Sequence, residues 1–279
     1  MPELVVGGRR VRFTDVGSGE PVVLLHAASG SAGQWRALAA TLLARGGLRV
    51  LAVDLQGYGG SASWDPRDAL HLEDEFAPLR AVIAHAGGGP VHLVGHSYGG
   101  MLALRLALAD PALPPLSLAL AEPVAFWLLR GIGEHSAYAE IRAVAEAFCA
   151  VFDAGDAVGA VAPYIDYWGG PGAWAALPEA VRAYALTTAG KVRREWAVAL
   201  GDVDAGAPLA DLARLRGVPT LLLCGEQTRE PTRRIINLLR GAVAGVEVVE
   251  VPGAGHLAPV THPTLVNTAI EAHLARLLQ

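Results

Sequence analysis

Val91-His92-Leu93-Val94-Gly95-His96-Ser97-Tyr98-Gly99-Gly100 is the stretch from which the fold of this chain can be read. Four residues suited to a buried strand lead into Gly95-x-Ser97-x-Gly99, and the Ala/Leu-rich run Met101 to Ala109 follows as a predicted helix. A serine between two glycines at a strand-to-helix junction is the nucleophile-elbow pattern. The glycines leave room for a sharp turn in which a Cβ would clash. Such a turn lifts the serine hydroxyl above the sheet, with a helix N-terminus behind it that favours developing negative charge. A serine in a purely structural turn is the plain alternative. A phosphate-cradling loop is disfavoured, because neither GxGxxG nor GxxxxGK[ST] occurs in the stretch.

Outward from this junction, short apolar runs alternate with helical patterns. Arg10 to Val16, Pro21 to Leu25, Arg49 to Val53, Val91 to Val94, Leu116 to Ala121, Thr220 to Cys224 and Val246 to Val251 read as strands. Ala32 to Arg45, Ala69 to Ala86, Met101 to Ala109, Thr232 to Val243 and Pro263 to Leu278 read as helices. This alternation predicts an α/β fold with a parallel sheet covered by helices on both faces. Residues 123–216 break the rhythm. They carry helical patterns without a buried strand and hold eleven of the chain's seventeen aromatic side chains. An insertion of that length exceeds an ordinary connection. It is expected to be a helical cap over a core built from 1–122 and 217–279, its aromatics serving either a substrate cavity or simply the cap's own packing.

Composition narrows the classes. The chain has 279 residues, 52% of them hydrophobic and 18% charged, with a formal net charge of -5 and a mean hydropathy of +0.36. That is too apolar for a disordered protein, and it lacks the basic footprint of a nucleic-acid binder. The most membrane-like stretch, Ala112 to Leu129, contains Pro114, Pro115, Glu122 and Pro123, which argues against a spanning helix. No long apolar run follows the N-terminal MPELVVGGRR, so no secretory signal is expected. Cys149 and Cys224 lack metal-ligand spacing and read as free thiols. A cytoplasmic protein acting on a small molecule, without nucleic-acid or membrane partners, is the expectation; the oligomeric state is left open. Lys191 is the single lysine beside twenty-one arginines, which reads as compositional bias.

A serine hydroxyl needs a neighbouring base to take its proton. Gly253-Ala254-Gly255-His256 follows the last predicted strand, and a Gly-rich turn leaves the His256 imidazole able to face Ser97. His96, next to the nucleophile, is expected to point away.

With Ser97 and His256 placed, the chain resembles the α/β-hydrolase superfamily over nearly its whole length. Leu24-Leu25-His26 resembles the segment before the oxyanion hole, Asp54 to Ser61 the D-x-x-G-x-G-x-S loop, Gly95 to Gly100 the elbow, and Gly253 to His256 the histidine loop. The resemblance implies an eight-stranded, mostly parallel sheet with the cap between strands six and seven. It also implies a carboxylate that orients the histidine, and here the sequence departs from the family. Where the usual aspartate would stand after strand seven there is Thr228, and no aspartate follows Asp211. Glu122, ending the run Leu116 to Ala121, is the leading candidate acid, and Glu226 the alternative. A buried carboxylate in such apolar company needs a cationic or hydrogen-bonding partner.

The elbow implies the backbone N–H of Tyr98 as one oxyanion donor. Ala27, after His26, is the expected second donor, with the Ala28 N–H as fallback. Trp35 and Trp127 are candidate pocket residues. No metal or organic cofactor is implied. The expected activity is hydrolysis of a small, largely apolar carboxylic ester through an acyl-serine. Carbon–carbon bond hydrolysis or acyl transfer on the same residues is the runner-up, and a non-catalytic ligand-binding protein of this fold the alternative of another class. Relatives that cleave halides or epoxides use aspartate as the nucleophile, so Ser97 disfavours both chemistries.

Overall fold

The computed structural model describes every residue except 66–68, 110–113, 134 and 279, so the first residues of the Ala112 to Leu129 stretch lie outside the described residues. The strands are β1 (Glu3–Val6), β2 (Arg9–Arg12), β3 (Val16–Gly17), β4 (Glu20–Leu25), β5 (Leu48–Val53), β6 (His92–His96), β7 (Ser117–Ala121), β8 (Thr220–Gly225) and β9 (Glu247–Val251). The main sheet has the order β3-β5-β4-β6-β7-β8-β9. Only the β3–β5 pairing is antiparallel, and the other pairings are parallel. The main sheet therefore has seven strands, one fewer than expected. Gly7 and Gly8 both adopt positive φ, +55° and +77°. This two-residue turn, which only glycine-like residues accept cheaply, folds β1 back on β2 as a separate hairpin. The run Arg10 to Val16, expected as one strand, is divided between that hairpin and the two-residue β3.

The helices are α1 (Arg36–Arg45), α2 (Leu72–His85), α3 (Tyr98–Ala109), α4 (Trp127–Gly131), α5 (His135–Asp153), α6 (Ala157–Gly169), α7 (Ala173–Ala176), α8 (Glu179–Leu200), α9 (Glu230–Ala242), α10 (Ala258–Thr261) and α11 (Pro263–Ala275). Strand alternation sorts the core into two layers. Val23, Leu25, Leu51, Val53 and Leu93 pack on one face of the sheet. Val22, Leu24, Val50, Ala52 and Val94 pack on the other, under α1 and α11. Because helices cover both faces, the strands read as continuous apolar runs, as parallel sheets require. Helices α4 to α8 and a 3₁₀ segment, Leu209–Leu215, lie between β7 and β8. Among the described residues no helix is long and apolar enough to cross a membrane.

Two neighbouring strand ends set up the site. In β6 and β7, His96 is in register with Ala121, so the residues that follow, Ser97 and Glu122, leave the sheet side by side. Both have positive φ, +54° at Ser97 and +51° at Glu122. Ser97 N–H donates to the Ala121 carbonyl at 2.9 Å, and Glu122 N–H to the Leu223 carbonyl at 2.9 Å. The turn at Ser97 depends on glycine at Gly95, where a Cβ would sit 2.3 Å from the Gly99 carbonyl oxygen, and at Gly99, where it would sit 2.5 Å from the Leu25 and His26 carbonyl oxygens.

Candidate active site

Ser97, His256 and Glu122 form one hydrogen-bonded chain. Ser97 Oγ lies 2.9 Å from His256 Nε2, and His256 Nδ1 lies 3.2 Å from Glu122 Oε2. A carboxylate only accepts, so Nδ1 carries the proton and donates to Glu122. That leaves Nε2 with its lone pair towards the serine O–H. All three residues are buried, Glu122 completely.

The Glu122 carboxylate is satisfied from several sides. Gly225 N–H, at the end of β8, donates to Oε1 at 2.6 Å. Thr228 Oγ1 donates to Oε2, which His256 also reaches. The threonine at the usual aspartate position thus holds the glutamate that comes from the neighbouring strand. Glu226 plays a different part: its carboxylate accepts from Gly253 N–H at 2.8 Å, bracing the start of the loop that carries His256. Thr228→Val keeps the shape and deletes one hydrogen bond to a charged, buried acceptor. The expected loss of stability is about 1.5–3 kcal/mol, read from chemical denaturation; a loss below about 0.5 kcal/mol would show that the bond contributes nothing.

His96 points away from Ser97. Burial, the largest influence, lowers its pKa to about 3, so the ring is neutral. Its Nε2–H donates to the His256 carbonyl oxygen at 2.9 Å, so the residue beside Ser97 pins the backbone of His256. His26 is also buried and neutral, its pKa lowered to about 4 chiefly by burial. It accepts from Leu55 N–H at 3.0 Å through Nε2 and donates through Nδ1 to the Ala27 carbonyl at 2.7 Å. Asp54, opening the Gly-rich loop, accepts from the N–H groups of Ala32 and Gly60 and is structural.

The expected oxyanion donor Ala27 is already engaged: its N–H donates to Gln34 Oε1 at 3.1 Å. Ala28, not Ala27, lines the cavity in front of Ser97. Its N–H donates to no protein group among the described residues. The reason is local. Gly30 N–H and His26 Nδ1–H both donate to the Ala27 carbonyl, which fixes the Ala27–Ala28 peptide from its carbonyl edge and leaves the Ala28 N–H on the opposite edge.

The cavity is small, about 30 Å³, and its walls include Ala28, Ser97, Phe126, Trp168, Glu195 and Trp196. Trp168, from α6, packs its ring over His256, centroid to centroid 4.0 Å. Trp35 and Trp127, expected as pocket residues, are elsewhere. Trp35 is buried on the α1/α11 face of the sheet, because α1 lies on the far side from the elbow. Trp127 donates from Nε1 to the Ala207 carbonyl at 3.0 Å and lies beneath the Arg105 guanidinium, which ties α4 to the chain behind the site. The residues that do line the cavity were detectable. Val192, Glu195, Trp196 and Ala199 follow i, i+3, i+4, i+7 spacing, one face of α8.

Comparison with known proteins matches residues 22–269 to the alpha/beta hydrolase family. Among curated relatives, the bifunctional epoxide hydrolase 2 of Sus scrofa is 34% identical over 108 residues, 39% of this chain and 19% of that protein. The 2-hydroxy-6-oxo-6-(2'-aminophenyl)hexa-2,4-dienoic acid hydrolase of Metapseudomonas resinovorans is 34% identical over 110 residues, 37% of this chain and 35% of the relative. The chain thus spans about a third or less of the length of these relatives. A solved thermophilic esterase from Thermogutta terrifontis superposes with a TM-score of 0.74 at 22% identity, covering 100% of both chains. With the sheet order, the elbow and the length of the family match in agreement, this chain belongs to the alpha/beta hydrolase family.

Proposed function

We propose that this chain is a serine hydrolase that cleaves a small, largely apolar carboxylic ester. The unbroken hydrogen-bonded chain Ser97–His256–Glu122 carries the reading. Ser97 Oγ bonds to the acyl carbon while its proton passes to His256 Nε2. The carbonyl oxygen becomes an oxyanion, held by the N–H of Tyr98 at the start of α3 and the N–H of Ala28, which takes the place expected for Ala27. Collapse breaks the ester C–O bond, and His256 returns the proton to the leaving alcohol. Water, deprotonated by His256, then attacks the acyl carbon; the acyl–Oγ bond breaks, His256 returns the proton to Ser97 Oγ, and the acid is released. Glu122 holds Nδ1–H throughout and stabilises the imidazolium, over which Trp168 adds a π face.

Residues 123–216 act in this reading as a cap over the core formed by 1–122 and 217–279. Support comes from the positions of Trp168, Glu195 and Trp196, which close the cavity from the inserted helices. The cavity beside Ser97 is narrow, about 30 Å³, well below the usual volume of a small-ligand site, and this supports a small acyl group over a bulky one. The epoxide hydrolases among the relatives belong to a branch in which the resemblance implies an aspartate nucleophile, and Ser97 argues against that chemistry here.

A fluorophosphonate probe tests the proposal directly. One adduct is expected on Ser97 of the folded wild type and none on folded Ser97→Ala, read by peptide mass spectrometry. Folded wild type that stays unlabelled would overturn the assignment. A panel of short-chain esters with product analysis then separates ester cleavage from carbon–carbon cleavage or acyl transfer.

A further inference from the structure

Besides Ser97, Tyr98, Tyr164 and Trp168, the cavity wall carries two neighbouring polar side chains on α8. Glu195 is 4% exposed and Trp196 6%, and both line the cavity that contains Ser97. Glu195 Oε1 accepts from Tyr58 O–H at 2.8 Å and from Lys191 Nζ at 3.0 Å. Its second oxygen, Oε2, has no hydrogen-bond partner among the described residues, and neither does the indole Nε1–H of Trp196. Leaving a buried acceptor and a buried donor unpaired is costly, and here one of each lies on consecutive residues of the same cavity wall.

The network behind Glu195 keeps its carboxylate in place. Lys191, the single lysine, is buried between Glu195 and Glu75 and faces the ring of Tyr98, 5.1 Å from its centroid. Tyr98 O–H donates to Glu75 at 3.1 Å. Burial pulls the lysine pKa down, but the two carboxylates outweigh it and the net shift is upward, so Lys191 stays charged. The lysine is thus a fixed post that holds Oε1, and Oε2 is the oxygen of this cavity-lining carboxylate that stays without a partner among the described residues.

We infer that Glu195 Oε2 and Trp196 Nε1–H form a polar subsite that selects esters carrying a hydroxyl group on the part of the substrate held in the cavity. A hydroxyl donates one hydrogen bond and accepts another, matching the two unpaired atoms, whereas an alkyl group leaves both unmet. The inference rests on the ester-hydrolase reading above and specifies its substrate class. Burial, the largest influence, raises the pKa of Glu195 to about 7, so above that pH Oε2 serves as an acceptor.

The test compares matched ethyl esters at pH 8.5: butanoate with 3-hydroxybutanoate, and hexanoate with its 3-, 5- and 6-hydroxy forms. Wild type is expected to favour at least one hydroxy ester over its parent tenfold or more in kcat/KM. Glu195→Met and Trp196→Phe should each bring that ratio to within threefold of unity. Should Glu195→Met fail to fold, Trp196→Phe and Glu195→Gln carry the comparison. The same pairs titrated into Ser97→Ala, followed by tryptophan fluorescence, read the preference as Kd without any chemistry. Every pair binding within threefold, or folded variants keeping the wild-type preference, overturns the subsite. Tighter binding of a hydroxy ester with no turnover of any ester by wild type upholds the subsite and overturns the ester-hydrolase reading alone.

Discussion

Glu122→Gln is expected to lower kcat about 10⁴-fold while leaving the fold nearly as stable as wild type. The reason lies in which atoms around residue 122 can change their hydrogen-bonding sense. Gly225 N–H, 2.6 Å from Oε1, is a backbone donor and cannot accept. An amide at residue 122 must therefore turn its oxygen towards Gly225 and its NH₂ towards Thr228 and His256. The Thr228 hydroxyl can rotate and accept, so it adapts. His256 adapts only by moving its proton from Nδ1 to Nε2, so that Nδ1 accepts from the amide. In that tautomer Nε2–H faces Ser97, and the imidazole can no longer take the serine proton. The positive φ of residue 122 is equally strained for glutamine and glutamate, so folding is spared. Steady-state kinetics on the ester that wild type cleaves best, beside thermal unfolding, measures both. A loss smaller than tenfold, or an equal loss in Glu226→Gln, would show that Glu122 is not the acid of this site.

Some of this arrangement was legible in the sequence. The elbow and the histidine loop are read from local chemistry, because a strained turn demands glycine at fixed offsets whatever the rest of the fold does. Glu122 was legible through a contradiction: a carboxylate at the end of an apolar run, beside a histidine loop with no aspartate to serve it. What stayed hidden depends on long-range packing. Thr228 looked like the place where the acid was missing; only the pairing of β7 with β8 brings its hydroxyl to Glu122. The Ala27 N–H is taken up by Gln34, seven residues on, and no spacing rule contains that bond. Trp35 and Trp127 were expected in the pocket because aromatic residues near a site suggest one, yet Trp35 sits in the 3₁₀ turn before α1 and Trp127 at the start of α4, and each packs where its own element faces. Lys191 read as an accident of composition, and its meaning emerges only when α8 carries it between Glu75 and Glu195.

Replacing Ser97, the proposed nucleophile, separates catalysis from strain. Ser97→Ala and Ser97→Gly are both expected to lower kcat by roughly 10⁶-fold, because neither offers an oxygen to the acyl carbon, and both lose the hydrogen bond to His256 Nε2. They should differ in stability. Ser97 has φ +54°, in the left-handed region that costs an L-residue about 1–2 kcal/mol. Alanine keeps the Cβ and therefore the strain, whereas glycine relieves it. Glycine gives back part of this gain through the greater freedom of its unfolded chain, about 0.4–1 kcal/mol. The balance makes Ser97→Gly more stable than Ser97→Ala by about 1 kcal/mol, read from urea midpoints at equal slope. Equal stability, or a more stable Ser97→Ala, would mean that the elbow stores no strain at this residue. The expected order implies that the strain is held by what surrounds the serine: the close approach of Gly99 to the Leu25 and His26 carbonyls and the Ser97 N–H bond to Ala121. Those contacts hold the backbone in a conformation that no residue but glycine would choose, at the one position where glycine could not supply the hydroxyl.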